Sequence, residues 1–109
     1  MHKIGVATDF PEGQAVALDV SGLSVVVCHV DDKFYAVENR CSHDDAALCV
    51  AKDDGSSRGE LEGFEIVCPR HFAKFDIRDG TVSKPPAICP IEIFDVTLKG
   101  ESVFLELES

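Results

Sequence analysis

In the stretch 68-CPRH-71, a proline and an arginine separate a cysteine from a histidine. A second pair of the same two residue types, 41-CSH-43, precedes it in the chain. Two tight pairs on separate loops can hold one centre from two sides, and four such ligands complete a tetrahedral zinc site or a two-iron cluster. Cys41, His43, Cys68 and His71 are therefore the candidate metal ligands.

Outward from these pairs, the sequence predicts short strands separated by turns and no amphipathic helix. Apolar runs and period-two alternation predict strands at 15–20, 23–30, 34–38, 64–68, 74–78, 91–98 and 102–107. Ser21-Gly22 and Asp79-Gly80 are typical of tight hairpin turns. The apolar phase switches between Ile93 and Phe94, which predicts a bulge in that strand.

Three segments are not predicted to form strands. Residues 39–51 carry the first cysteine–histidine pair, residues 52–59 (KDDGSSRG) contain no apolar side chain, and residues 83–90 contain three prolines. The chain is therefore expected to be all-β, an antiparallel sandwich or small barrel. We expect residues 1–109 to form a single domain, with a loop-rich cluster-binding lobe at about 39–90.

Charge and length narrow the classes of function. The chain has 109 residues and a formal net charge of -10, which argues against nucleic acid and anionic membrane surfaces as partners. The sequence contains no signal peptide and no apolar run long enough to span a membrane, so we expect a cytoplasmic protein. Five cysteines in a cytosolic chain indicate metal or redox chemistry more strongly than disulfides.

The spacing of the four candidate ligands leaves two kinds of centre open. Structural Cys2His2 zinc sites usually take two cysteines from one loop and two histidines from the other. Here each loop supplies one of each, which lets one iron of a [2Fe–2S] cluster take both thiolates and the other both imidazoles. The spacing favours iron–sulfur over zinc. A catalytic thiol–imidazole pair at Cys68 and His71 is disfavoured, because no oxyanion loop or substrate pocket can be identified.

The residues around the ligands carry a resemblance to a known family. The segments CSHDDAAL, EIVCPRHFAKFDIRDG and KPPAICPI closely resemble the Rieske family. Within it they are most similar to the small Rieske ferredoxins of bacterial ring-hydroxylating oxygenases. The resemblance implies one Rieske [2Fe–2S] cluster, with Cys41 and Cys68 on one iron and His43 and His71 on the other, solvent-facing iron. It also implies that residues 83–90 pack over the cluster as a proline loop.

The same resemblance implies a function. Such proteins are electron carriers rather than enzymes. They take single electrons from a ferredoxin reductase, here expected to be flavin-dependent, and deliver them to a terminal oxygenase in aromatic hydrocarbon catabolism. Two alternatives remain open: a Rieske subunit held permanently in a larger oxidoreductase, and a zinc-stabilised Cys2His2 interaction module.

Two departures from the family pattern lie near the ligands. KDDGSSRG looks like an insertion between His43 and Cys68, and Phe72 stands where the family usually has glycine. The role of neither is evident from the sequence.

Three other positions bear on the reduction potential. High-potential respiratory relatives have a cysteine at the position of Arg70 and hydroxyl side chains at those of Ala73 and Phe75. Rieske centres span about -150 to +300 mV, and hydrogen bonds to their sulfurs contribute to the position in that range. This chain lacks all three features, which predicts a low-potential centre.

Three cysteines are not candidate ligands. Cys28 lies in an apolar run and is expected to be a small buried hydrophobic residue. Cys49 and Cys89 are expected to stay reduced, although a disulfide between them is conceivable.

Overall fold

The computed structural model describes residues 2–40, 47–51, 57–69, 73–84 and 90–106. Within these ranges the chain forms one short 3-10 turn, Ala7–Asp9, and eleven strands. The strands are β1 (His2–Val6), β2 (Ala15–Val20), β3 (Leu23–Val30), β4 (Lys33–Glu38), β5 (Val50–Ala51), β6 (Ser57–Glu62), β7 (Glu65–Val67), β8 (Lys74–Asp76), β9 (Val82–Lys84), β10 (Ile93–Lys99) and β11 (Ser102–Glu106).

Every strand pair that the structure records is antiparallel, so the all-β prediction is confirmed. The strands follow one hydrogen-bonded path, β1-β11-β10-β4-β3-β2-β6-β7-β8-β9, and β5 pairs with β6 beside it. In the part of the chain that is described, no helix is long and apolar enough to cross a membrane.

The middle of strand β3, residues 25–28, is apolar because both of its faces are buried. Successive side chains of a strand point to opposite faces, and here Val26 and Cys28 enter one apolar cluster while Val25 and Val27 enter another. The first cluster also contains Cys68, Ala73 and Phe75, so the core beside the second ligand pair continues to the central strand.

The best-predicted elements are β2 and β3, whose bounds agree with the sequence prediction, and the turn between them. Ser21 and Gly22 have φ angles of 51° and 84°. Two consecutive residues with positive φ form the type of turn that matches the twist of a two-stranded hairpin. The remaining predicted strands are found within one or two residues of their expected ends.

All three predicted loop segments are partly strand. Val50 and Ala51, at the end of the first segment, form β5. Residues 57–59, the end of KDDGSSRG, begin β6, which pairs with β5, β2 and β7. Ser83 and Lys84 belong to β9 at the end of the strand path. The polar sequence at 57–59 is compatible with a strand because its backbone is paired. A β-carbon on Gly59 would lie 3.2 Å from the Cys49 Sγ, so a side chain there has little room.

Three details of the sequence prediction are wrong. Asp79-Gly80 is not a two-residue hairpin turn, since β8 and β9 are joined by residues 77–81, closed by an Asp76 N–H bond to the Thr81 carbonyl. No register shift is recorded between Ile93 and Phe94; instead β10 leaves β4 after Phe94 and pairs with β11 from Asp95. Strand β1 was missed, because its mixed sequence HKIGV lies on the edge of the sheet, where little burial is required.

Candidate metal centre

Cys68 is the candidate ligand whose position the structure describes. It follows β7 directly, and its exposed fraction is 0%. Its backbone N–H donates to the Ala73 carbonyl at 2.7 Å, which closes the base of residues 69–72, the second loop. The sequence thus places His71 in a short loop whose two ends are joined by a backbone hydrogen bond.

The other three candidate ligands, Cys41, His43 and His71, lie outside the described residues, so the ligand set remains a prediction. Also outside the described residues are Arg70, Phe72, Cys89, residues 52–56 and residues 85–89 of the predicted proline loop. The structure does describe the residues at the two ends of each ligand loop and the hydrogen bonds that join those ends.

The surroundings of Cys68 fit a cluster ligand. Its neighbours Ala73 and Phe75 are fully buried, and all three side chains belong to one apolar cluster with Ile66. A thiolate in an apolar site is costly unless it is paired or bound to a metal. Burial alone does not mark a ligand, since Cys28 and Cys49 are also buried; the place of Cys68 at the base of a closed loop is what suits its sulfur to bind iron or zinc.

The first loop, residues 40–47, is closed by a side chain. The Asn39 Oδ1 accepts hydrogen bonds from the N–H groups of Leu48 at 2.8 Å and Cys49 at 3.1 Å. Cys41 and His43 lie in the sequence between these two anchor points. Both candidate ligand pairs thus occupy segments whose ends are tied together in the structure.

The hairpin after the second loop is held by Arg78. Its guanidinium makes two hydrogen bonds to the Asp76 carboxylate, at 3.0 and 2.7 Å, and lies 4.4 Å from the centre of the Phe64 ring. These bonds, opposed by a smaller effect of burial, hold the pKa of Asp76 below its ordinary value. Tyr35 of β4 packs edge-on against the same ring of Phe64. The hairpin is thereby fastened to the rest of the sheet.

The two other described cysteines are free, buried thiols. The prediction that Cys28 is a buried residue is confirmed by its exposed fraction of 0%. Burial raises the pKa of Cys28 far above its ordinary value, with a smaller contribution from the nearby Cys49. Burial also raises the pKa of Cys49 to about 12. Both groups remain neutral thiols at physiological pH.

A cluster of three side chains of types that can bind metal ions, which the sequence reasoning did not single out, lies at the turn between β3 and β4. Ligand atoms of Glu12, His29 and Asp32 lie within 4.8 Å of one another. The Glu12 carboxylate accepts the N–H bonds of Asp31 and Asp32, both of which have positive φ. These contacts assign Glu12 the role of fastening the turn. Hydrogen bonds over such a distance along the chain have no simple sequence signal.

Comparisons with known proteins agree on one family. The model of the Rieske [2Fe-2S] domain matches residues 1–95. A biphenyl 2,3-dioxygenase ferredoxin component of Rhodococcus jostii is 34% identical over 108 residues, which are 99% of this chain and 94% of that protein.

Solved structures agree. The ferredoxin of carbazole 1,9a-dioxygenase from Nocardioides aromaticivorans superposes with a TM-score of 0.83 at 29% identity, covering 99% of this chain and 100% of that chain. A second match lies in a complex of reduced oxygenase and oxidized ferredoxin in carbazole 1,9a-dioxygenase. It has a TM-score of 0.80 at 30% identity, with 97% and 95% of the two chains covered.

Proposed function

This chain belongs to the Rieske [2Fe–2S] domain family, and on that premise we propose that it passes single electrons from a reductase to the terminal oxygenase of a ring-hydroxylating system. It is a Rieske ferredoxin with one [2Fe–2S] cluster, and it acts as an electron carrier rather than an enzyme. The near full-length similarity to the biphenyl 2,3-dioxygenase ferredoxin component carries this conclusion, since the family model by itself shows only the Rieske domain.

We propose that Cys41 and Cys68 bind one iron and that His43 and His71 bind the other. The closed base of each loop and the burial of Cys68 support this assignment. When bound, the cluster would supply one-electron redox chemistry, since it can accept and release a single electron. We also propose that residues 1–109 form one domain, with residues 39–90 as its cluster-binding lobe.

A low reduction potential is the most specific part of the proposal. Hydrogen bonds to the sulfurs contribute to the potential of such a cluster. Ala73 and Phe75 are buried beside Cys68 in the same apolar cluster, and neither side chain has a hydroxyl group to donate. Arg70 stands where high-potential respiratory relatives have a cysteine that forms a disulfide between the two ligand loops, so this chain cannot form that bond.

A redox titration of the purified protein tests this proposal. We expect a midpoint potential below about 0 mV, towards the lower end of the Rieske range. A variant in which Phe75 is replaced by tyrosine is the matched comparison, because it adds a hydroxyl group and retains the ring. A wild-type midpoint well above about 0 mV would contradict the assignment of a low-potential carrier.

The proposed oxygenase partner rests on the relatives. The solved complex pairs a ferredoxin with an oxygenase, and that ferredoxin is 30% identical to this chain. From the same family membership we also propose that the electron donor is a flavin-dependent reductase and that the protein is cytoplasmic. The net charge of -10 favours partners whose docking surfaces are basic.

Mixing the reduced protein with an oxidised ring-hydroxylating oxygenase tests the partner. We expect the visible spectrum of the ferredoxin to return to that of its oxidised form in a rapid, concentration-dependent phase. A serum albumin sample at the same concentration is the control. If the spectrum recovers no faster with oxygenase than with albumin, this oxygenase does not accept electrons from the protein.

A further inference from the structure

Asn39 is fixed to the central strand of the sheet. It follows β4 directly, and its backbone N–H donates to the Ser24 carbonyl of β3 at 3.1 Å. Its side-chain Nδ2 donates to the Ser24 Oγ, also at 3.1 Å. Two hydrogen bonds to one residue of β3 therefore hold both the backbone and the side chain of Asn39.

The other end of the same side chain reaches across the base of the first loop. Its Oδ1 accepts from the N–H groups of Leu48 and Cys49, at 2.8 and 3.1 Å. Both of these residues are buried, with exposed fractions of 1% and 7%. A buried backbone N–H that loses its partner is destabilising. The Asn39 Oδ1 therefore provides the hydrogen-bond acceptor for two adjacent buried N–H groups.

The two ligand loops differ in the chemistry of their closure. The second loop is closed by a bond between the backbones of Cys68 and Ala73, which does not depend on either side chain. The first loop is closed by the side chain of Asn39, which a single substitution can remove. In the sequence, Cys41 and His43 follow Asn39 by two and four residues, between the two points that this side chain joins.

We propose that Asn39 is a positioning residue of the cluster, which sets the first loop in the geometry that presents Cys41 and His43 to the iron atoms. The inference rests on the proposed ligand set. Asn39 does not itself contact the cluster; it acts through the backbone of residues 48 and 49. Groups that orient metal ligands typically change metal affinity by roughly 10- to 100-fold when they are removed.

Three variants separate this role from general stability. Asn39→Leu removes the acceptor at similar size, Asn39→Asp retains an oxygen that accepts both N–H groups, and Ser24→Ala removes only the contact on β3. The readouts are the rate at which a chelator extracts iron and the g-values of the reduced protein in EPR. We expect Asn39→Leu to lose iron roughly tenfold faster and to shift the g-values. Asn39→Asp and Ser24→Ala should remain within about twofold of the wild-type rate.

Two results would overturn the proposal. One is that Asn39→Leu releases iron at the wild-type rate with unchanged g-values. The other is that Asn39→Asp is as impaired as Asn39→Leu, because the acceptor oxygen would then not be what matters.

Hydrogen exchange gives a test that does not require the variants to fold. The N–H groups of Leu48 and Cys49 should exchange slowly in the wild-type protein. If they exchange as fast as in an unstructured peptide, the Asn39 side chain does not hold them and the proposal fails. A wild-type protein that binds no cluster would instead reject the proposed function, whatever the exchange rates at these two positions.

Discussion

The backbone of Gly80 accepts a hydrogen bond from the N–H of Ile91 at 2.9 Å, and a β-carbon on Gly80 would overlap the Ile91 carbonyl oxygen. The N–H of Gly80 in turn donates to the Asp76 carbonyl at 2.7 Å. This contact joins the hairpin that follows the second loop to the residue that follows the proline-rich segment. Two segments proposed to surround the cluster are therefore tied together at a position where only glycine fits.

Gly80→Ala should lower the free energy of unfolding by about 3 kcal/mol, because it combines a left-handed φ of +79° with a backbone overlap. Urea unfolding of the purified protein measures the loss. Gly13→Ala is the matched control, since Gly13 has the same φ and no atom within 4 Å of the added β-carbon. The control should lose only about 1 kcal/mol, and equal losses would show that the contact with Ile91 is unimportant.

The buried thiols predict a loss of stability in alkali. The pKa of Cys49 is raised from 9.0 to about 12, so in the folded state the thiol keeps its proton while in the unfolded chain it ionises. The contribution of such a thiol to the free energy of unfolding is fully present below about pH 9. Above that pH it declines by about 1.4 kcal/mol per pH unit for each buried thiol. Urea unfolding over this range gives the slope.

Cys49→Ala is the comparison for that slope. The variant loses some packing at every pH, but its stability should fall less steeply above about pH 9, by the contribution of one thiol. Parallel curves for the variant and the wild-type protein would mean that Cys49 does not resist ionisation in the folded state.

The lowered pKa of Asp76 predicts a pH dependence of opposite sign. A carboxylate held by Arg78 stabilises the fold above its ordinary pKa of 3.8 and ceases to do so as the pH falls through its folded value. Asp76→Asn should therefore cost about 1 kcal/mol at neutral pH, and the deficit should shrink in acid. Thermal unfolding at several pH values measures it. A deficit that is constant with pH would assign the effect to packing instead.

The acidic surface predicts that electron delivery slows as salt is added. With a net charge of -10, long-range attraction should speed encounter with a basic docking surface, and salt screens that attraction. Stopped-flow reduction of a terminal oxygenase should show a second-order rate that falls with ionic strength. Oxidation by a small uncharged acceptor is the control and should not change. If the oxygenase rate is indifferent to salt, charge does not steer docking.

The sequence predicted the elements whose signal is local. The continuous apolar run of β3 and the Ser21-Gly22 turn specify a central hairpin without reference to the rest of the chain. The buried state of Cys28 follows from the same run. The family resemblance supplied the cluster, because its ligand spacing is short and specific.

The remainder depends on contacts between distant parts of the chain. Residues 57–59 are polar, yet each pairs with β5 or β2, and a side chain at Gly59 would have little room. The residues that Asn39 binds lie 9 and 10 positions along the chain, and Gly80 meets Ile91 across the proline-rich segment. No periodicity in the sequence marks such pairs.

The EPR spectrum of the dithionite-reduced protein tests whether the chain holds a Rieske cluster on the four proposed ligands. We expect a red-brown protein whose reduced form gives a Rieske-type signal, and we expect this signal to be absent from His43→Ala and from His71→Ala. A colourless protein that contains zinc, or a signal that persists in both histidine variants, would contradict it.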